Sequence, residues 1–258
     1  MKYVFAGNRD IGIWVLEYLI GQGYSPDGLM VTDEDDEHTK ELIHMTNLSP
    51  DQIFVGPPNR HNDLTERLKD IAPDYIFGIH YPYIVKSELL DIPKLGFLNL
   101  HPAFLPYNRG WHTPSWAILE GTPIGATLHY MSEQLDMGDI IHQKKMVIEI
   151  DDTADSLYQK LKKLEFDVFV EAFAVLIGKT GLRIAQIGAG TSHTKKELFE
   201  DAISKLDLDE SYCFRELLAR LRALTTNASS EACYFVENGE KYRITVKVEK
   251  ELLPKGSF

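Results

Sequence analysis

Leu95-Gly96-Phe97-Leu98-Asn99-Leu100-His101-Pro102-Ala103-Phe104-Leu105-Pro106 carries the clearest structural signal in the chain. Its first half is an apolar run of strand-formers interrupted by two polar residues two positions apart, and alternate residues of a strand face the same side of a sheet. Asn99 and His101 therefore share a face. Pro102 removes a backbone donor and ends the ladder, which sets both side chains at the carboxyl edge of a strand, where open α/β sheets bind their ligands. Turn capping after a buried strand is the competing role, since Asn and Pro are common turn residues. The stretch from Leu105 to Pro114 is longer, more aromatic and richer in hydrogen-bonding groups than a connector requires, as functional loops are.

Downstream, Ile124 to Met131 has the pattern of a strand, Ser132 to Asp139 that of a turn, and Ile140 to Val147 that of a second strand. Such a hairpin carries Asp136 back beside His101. An amide, an imidazole and a carboxylate gathered at one strand edge suit acyl transfer, a reaction in which an imidazole is a common general base. His80, His112, His129, His142 and His193 compete for the role of base, but only His101 combines a strand-edge position with an Asn partner.

Upstream, strand and helix signals alternate: Tyr3 to Ala6, Gly28 to Val31, Gln52 to Val55 and Pro73 to Ile79 as strands, with helices over Ile11 to Leu19, Thr39 to Met45 and Leu64 to Ile71. This order predicts an α/β fold with a doubly wound, mostly parallel sheet. Gly7-Asn8-Arg9-Asp10-Ile11-Gly12 is a strand-to-helix turn that falls short of the dinucleotide fingerprint, so a nicotinamide cofactor is weakly supported. Its backbone amides and Arg9 can hold a phosphate, a surface salt bridge being the plainer role for Arg9.

After Asp152-Thr153, apolar residues Leu157, Leu161, Leu164, Val168, Ala172 and Val175 recur at helical spacing up to Gly178. The chain then changes character. Gly188 to Thr194 is expected as a loop, Lys195 to Lys205 and Tyr212 to Leu224 as helices, and Ala232 to Val236 with Tyr242 to Val248 as a hairpin around Glu237-Asn238-Gly239-Glu240. The expected organisation is a catalytic unit over 1–180 and a small C-terminal α+β appendage over 181–258.

A chain of 258 residues can bury one large core plus such an appendage. Its formal charge of −12 argues against a nucleic-acid partner, which would draw affinity from Lys and Arg on phosphates. The acidic run Asp33-Glu34-Asp35-Asp36-Glu37 fits a solvated loop or helix start better than a metal site. No apolar run approaches the ~18 residues of a membrane span. The amino terminus enters a strand-like segment with no signal-peptide pattern, and a cytoplasmic location is expected. Cys213 and Cys233 fit two free thiols better than a disulfide and lack the His clustering of a zinc site, so no metal is implied.

Asn99, His101, Leu105-Pro106, Arg109-Gly110 and Leu135-Asp136-x-Gly138-Asp139 together resemble the folate-dependent formyltransferases, which include the glycinamide ribonucleotide, methionyl-tRNA and sugar N-formyltransferase branches. The resemblance runs from residue 1 to about 180 and implies their Rossmann-like fold. Tyr107 to Ile118 looks most like enzymes that formylate the amine of a nucleotide-linked deoxysugar; Trp111 and His112 stand where the methionyl-tRNA branch has small residues. Leu221 to Thr225 and Ala232 to Phe235 resemble the carboxyl-terminal part of the sugar enzymes, which implies either a subunit contact or one wall of the sugar-nucleotide site there; the family as a whole implies a homodimer.

What the resemblance implies is a formyl donor, 10-formyltetrahydrofolate, and a nucleotide-diphosphate amino sugar as acceptor. The favoured acceptor is dTDP-4-amino-4,6-dideoxyglucose, with GDP-linked and 3-amino sugars as alternatives and a surface polysaccharide such as lipopolysaccharide O-antigen as destination. Asn99 would stabilise the oxyanion, His101 would act as base or as a protonated donor, and Asp136 would hold the imidazole. Ile79, His80, Tyr81, Gln134 and Leu135 would contact folate, unless the aromatic loop after Ile79 merely packs on the sheet end. Tyr107, Arg109 and Trp111 would border the sugar, Trp111 being equally suited to a core anchor, while Asn8, Arg9, His193 and Lys195 would meet phosphate or base. A non-catalytic nucleotide-binding module remains the alternative of another class; loss of Asn99, His101 or Asp136 would have favoured it, and all three are present.

Overall fold

Strands β1 (Tyr3–Gly7), β2 (Gly28–Val31), β3 (Ile53–Val55), β4 (Tyr75–Ile79) and β5 (Gly96–His101) are parallel in the computed structural model, which describes residues 1–251. Between them run α1 (Arg9–Gly21), α2 (Glu37–His44), α3 (Leu64–Ile71) and the short α4 (Ser87–Leu90). The chain continues through a two-residue strand β6 (Arg109–Gly110), α5 (Thr113–Glu120), the antiparallel pair β7 (Ile124–Tyr130) and β8 (Ile140–Met146), and the long α6 (Ala154–Ile177). The seven-stranded sheet has the order β3-β2-β1-β4-β5-β7-β8, so strand order reverses between β1 and β4.

Every residue of β1 and β4 is buried, as expected for parallel strands covered on both faces. Tyr3, Phe5, Tyr75, Phe77, Ile79, Leu98 and Leu100 pack with α1 and α6, through Ile11, Leu16, Val168, Phe169 and Phe173 among others. Their sequence neighbours Val4, Ala6, Ile76 and Phe97 take the opposite face with Leu64, Leu68 and Leu89. Each large side chain sealed in this way stabilises the fold by roughly 1.5–3 kcal/mol relative to exposure. Helix α6 starts at a capping box in which Thr153 Oγ1 accepts from the Ser156 N–H at 3.3 Å and Ser156 Oγ accepts from the Thr153 N–H at 3.0 Å.

Beyond α6 lie β9 (Ser192–His193), α7 (Asp201–Ser204), α8 (Phe214–Ala223), and a hairpin of β10 (Cys233–Glu237) and β11 (Glu240–Ile244). Leu198, Leu206, Ala223, Leu224 and Cys233 form a second core with Trp116 and Ala117 of α5 and Leu157 and Leu161 of α6. Arg222 ties this region to the start of α6 by donating to the backbone oxygens of Asp152 at 2.6 Å and Glu149 at 2.7 Å.

Three local expectations are corrected. Lys195 to Lys205 is not one helix: a 3-10 turn at Glu197–Phe199 and α7 are separated at Glu200, which is extended at ψ 146°. Lys205 bridges to Tyr234 and the Leu206 N–H donates to Tyr234 O at 2.7 Å, so pairing with the hairpin overrides helix propensity. The second hairpin strand spans Glu240–Ile244 and not Tyr242 to Val248, because Asn238 and Gly239, at φ 52° and 80°, make a two-residue turn that sets Glu237 opposite Glu240 and Cys233 opposite Ile244. Gly188 to Thr194, expected as a loop, contributes β9, which pairs with β6.

The acidic run supplies turn and helix caps: Asp33 accepts from the Asp35 N–H, and Asp36 from the Thr39 N–H. Cys213 is exposed and Cys233 buried, both as free thiols. Among the described residues no cluster of His, Cys, Asp and Glu could hold a metal, and no helix is long and apolar enough to cross a membrane.

Candidate active site

Strand β5 ends at His101, and β7 runs antiparallel beside it with His129 opposite Asn99 and Thr127 opposite His101. The chain leaving His101 is pinned by hydroxyls: Thr127 donates to Ala103 O at 2.7 Å, and Thr113 donates to Pro102 O at 2.6 Å. The β7–β8 loop returns Asp136 to this edge in a left-handed conformation at φ 52°. Gly138 follows because a Cβ there would run into the Tyr130 carbonyl, which gives the Asp-x-Gly pattern a steric cause.

Asp136 is the hub of a polar web. Its Oδ2 accepts the Gly110 N–H at 2.9 Å and lies 3.5 Å from His101 Nε2; its Oδ1 accepts from Asn99 Nδ2 at 3.3 Å and lies 3.6 Å from His129 Nε2. Gly110 sits at φ 91° with its α-carbon against the His193 carbonyl, an approach that no side chain permits. His129 donates from Nδ1 to Tyr130 O at 2.8 Å, so Nε2 is left to accept from Asn99 Nδ2 at 3.2 Å. Burial pushes its pKa down to about 4, which leaves it neutral at pH 7. Burial also raises the Asp136 carboxyl, but His101, His129, the Gly110 amide and Asn99 together outweigh this and hold it below the usual carboxylate range.

His101 Nε2 faces two acceptors, Asp136 Oδ2 and, at 3.3 Å, Asn108 O. The Nε2 position therefore carries a hydrogen, and in the neutral ring the lone pair falls on Nδ1. Asn108 is itself fully buried at φ 56°, fixed by Thr191, Thr122 and Pro123 O.

The other expected residues divide. Leu135 is half exposed and lies over Gly110, and Gln134 caps the same turn by accepting from Ser132 Oγ at 2.9 Å. Tyr107 is half-buried at the entrance to this loop, its N–H on Phe104 O. Trp111 is 37% exposed with Lys195 Nζ 5.0 Å from its ring centre. Arg109 is committed to protein: its Nε and Nη2 donate to Gln186 Oε1 at 3.2 and 2.8 Å. The His193 ring stacks on Trp116 at 3.8 Å and meets Glu120, so its imidazole is likewise engaged within the fold.

A second group lies at the β1/β4 strand-order reversal. Asn8 caps α1 by accepting the Arg9 N–H at 2.7 Å, and its own N–H donates to Ile79 O. Arg9, at φ 60°, donates to Tyr158 Oη at 3.1 Å. Ile79 is sealed in the core, and the His80 ring turns towards α6, where Nε2 lies 2.7 Å from Glu165 Oε1. Tyr81 donates to Gly56 O at 3.3 Å and packs edge-on against Tyr83. The side chains of Ile79 and His80 thus face α1 and α6, while Phe97 and Asn99 alternate onto the other face.

Three site residues escaped the sequence reading: His129, Asn108 and Gln186. His129 was visible only as one of several histidines, and its signal is the β5–β7 pairing. The other two depend on the return of residues 182–193 to the site, which no local pattern announces.

An open α/β sheet whose strand edge holds an amide and an imidazole joined through a carboxylate is a layout suited to acyl-group transfer. Residues 31–173 match the formyl transferase family, and residues 199–250 match the N-formyltransferase dimerization C-terminal domain. The chain belongs to the formyl transferase family and is a formyltransferase. It is 31% identical over 191 residues to the dTDP-4-amino-4,6-dideoxyglucose formyltransferase of Mycobacterium tuberculosis, covering 73% of this chain and 80% of that one. It is 34% identical over 187 residues to the methionyl-tRNA formyltransferase of Bacillus mycoides, with coverage of 70% and 57%. The fold matches a sugar N-formyltransferase of a Shewanella species with a TM-score of 0.81 and 21% identity, over 98% of this chain and 99% of that one.

Proposed function

We propose that this enzyme moves the formyl group of 10-formyltetrahydrofolate onto the amine of a nucleotide-linked amino-dideoxy sugar, with dTDP-4-amino-4,6-dideoxyglucose as first candidate. The observation that carries the proposal is the contact set of Asn99, His101 and Asp136 at the carboxyl edge of β5. A sugar acceptor is favoured over tRNA by the charge of −12 and by a C-terminal region of the dimerization type. The residues present fit the donor. Leu135 and Met137 on the Asp136 loop and Ile84 after β4 offer exposed apolar surface to a flat ring system.

Bound folate would supply a formyl group activated towards attack by an amine. Asn99 Nδ2 aims its two hydrogens along contacts of 3.2 and 3.3 Å, long enough for an oxyanion to draw one away. As the amine nitrogen bonds to the formyl carbon, His101 would take the amine proton at Nδ1 with Asp136 facing its Nε2–H; the bond from that carbon to the folate nitrogen would then break, the proton would pass to that nitrogen, and tetrahydrofolate would leave. The Gly110 N–H and Asn99 keep Asp136 in place, and neutral His129 does not compete for that proton. Arg9, at the strand-order reversal, is the cation for the diphosphate, and Trp111 with Lys195 borders the acceptor. Exposed Leu208, Phe214, Val236 and Tyr242 on the appendage are the surface for a homodimer. The enzyme is then cytoplasmic, and its product serves a surface polysaccharide.

The test is a mass-spectrometric endpoint assay with 10-formyltetrahydrofolate and thymidine-, guanosine- and uridine-diphosphate sugars bearing amines at carbon 3 or carbon 4. One formyl mass gained on a single acceptor, and lost in His101→Ala, supports the proposal and fixes the acceptor. Gain on none of them overturns it.

A further inference from the structure

Gln186 lies 50 residues beyond Asp136, on a segment anchored to the start of β8 by paired hydrogen bonds between Ile184 and Ile140. Its carboxamide uses both of its ends. Nε2 donates to Asp136 O and to Gly138 O, each at 2.8 Å, while Oε1 accepts both Nε and Nη2 of Arg109. The residue after Arg109 is Gly110, whose N–H holds the Asp136 carboxylate. Asp136 is thus gripped at its side chain by one neighbour of Arg109 and at its backbone by another.

That double grip has a physical task. Asp136 stands at φ 52°, a left-handed conformation that a residue with a Cβ keeps only where its surroundings over-determine it. Gly110 N–H alone fixes one carboxylate oxygen and leaves the turn free to relax. Two carbonyls on one carboxamide fix the turn itself, and Arg109 fixes which end of the carboxamide faces them. We infer that Gln186, oriented by Arg109, is a positioning residue that locks the Asp136 turn in the geometry required at His101. Arg109 then serves the catalytic geometry and does not bind the acceptor, contrary to the role its place beside Trp111 suggested. The kinetic part of this inference rests on the formyl-transfer proposal; the conformational part does not.

The experiment compares the full chain with Gln186→Leu, Gln186→Glu, Arg109→Leu and the Gln186→Leu/Arg109→Leu double variant. Two readouts are taken: hydrogen–deuterium exchange over residues 132–139, and steady-state kinetics on the acceptor identified by the mass-gain assay. Gln186→Leu is expected to raise exchange in that peptide and to lower kcat by roughly 10- to 100-fold, with KM for the acceptor changed by less than about three-fold. Gln186→Glu still accepts from Arg109 but points oxygens at two carbonyls, so it is expected to match or exceed the Leu defect in a protein that stays folded. Arg109→Leu should reproduce the loss in kcat, and the double variant should fall no further than the worse single one.

Unchanged exchange over 132–139 in Gln186→Leu and Gln186→Glu overturns the inference. So does an Arg109→Leu variant whose KM for the acceptor rises while kcat stands, and so does a double variant in which the two losses multiply. If the unmodified chain formylates none of the acceptors, the functional proposal fails, and the exchange arm alone still decides whether Gln186 holds the turn.

Discussion

Two buried histidine–carboxylate pairs stand on opposite faces of the sheet, and burial does not tell them apart. The His80 and Glu165 side chains are 8% and 0% exposed, those of His101 and Asp136 8% each. Their partners do. His80 and Glu165 meet at 2.7 Å as a nearly closed pair, with Glu165 Oε2 buried and unpartnered. His101 and Asp136 stand 3.5 Å apart, and Asp136 is shared with the Gly110 N–H and Asn99. This short contact, with Tyr158 Oη a weaker neighbour 3.5 Å from His80 Nδ1, ties helix α6 to the end of β4. The longer contact leaves the Asp136 carboxylate held by the Gly110 N–H and Asn99 independently of His101. On the proposed function, the web carries the chemistry and the tight pair is a strut beneath Arg9.

That distinction breaks most visibly at Asn99. Asn99→Ala removes the proposed oxyanion donor and is expected to cost about 100- to 1,000-fold in kcat, measured as formylated product per unit time. A loss below ten-fold would move the donor role to another group. Glu165→Ala should act in the opposite register. It strands the buried His80 ring and is expected to destabilise the protein by roughly 3 kcal/mol in urea unfolding, while turnover per folded molecule stays within about three-fold. If turnover collapses and stability does not, the strut is part of the chemistry after all.

The face that carries Asp136 responds to acid through His129 and Asp136. His129 is neutral when folded, with a pKa near 4 against an ordinary value of 6.5. Between those values the unfolded chain binds the extra proton, so stability is complete above pH 6.5 and falls as pH drops towards 4, by at most about 3 kcal/mol from this group. Asp136 adds to the acid side: its folded pKa is depressed, so its contribution is present above the ordinary carboxylate range and lost as pH falls through the lower folded value. His129→Gln should flatten the upper part of that limb in a series of thermal melts. A limb unchanged by the substitution would place the titration elsewhere.

Gly110→Ala is the smallest of these changes. A methyl group at φ 91° and against the His193 carbonyl is expected to cost about 1–2 kcal/mol and to loosen the N–H on Asp136. Equal stability in the variant would mean that the β6–β9 contact yields freely.

Much of this site was legible because it rests on periodicity. Strands β1 and β4 are buried on both faces and stand out as apolar runs, as does most of β5, and the two-residue period alone put Asn99 and His101 together. Asp136 followed from a hairpin whose strands end within one residue of their expected limits. The remainder was hidden because it depends on where loops return. Arg9, His80, Asn108, His112 and Asp136 all adopt left-handed backbone conformations, which redirect side chains in ways no residue pattern shows. His80 therefore turns to Glu165, 85 residues away, and Arg109 to Gln186, 77 residues away. The segment over 195–205 failed for a related reason: its helical spacing is real, but pairing with Tyr234 decides its path.

The most direct test sets His101→Gln beside Glu165→Gln in the same formyl-transfer assay, with thermal melting of both. His101→Gln is expected to lose at least about 100-fold in kcat at an unchanged melting temperature, whereas Glu165→Gln keeps turnover within about three-fold. Equal losses in the two variants, or a larger loss in Glu165→Gln, would contradict the assignment of chemistry to the shared web around Asp136.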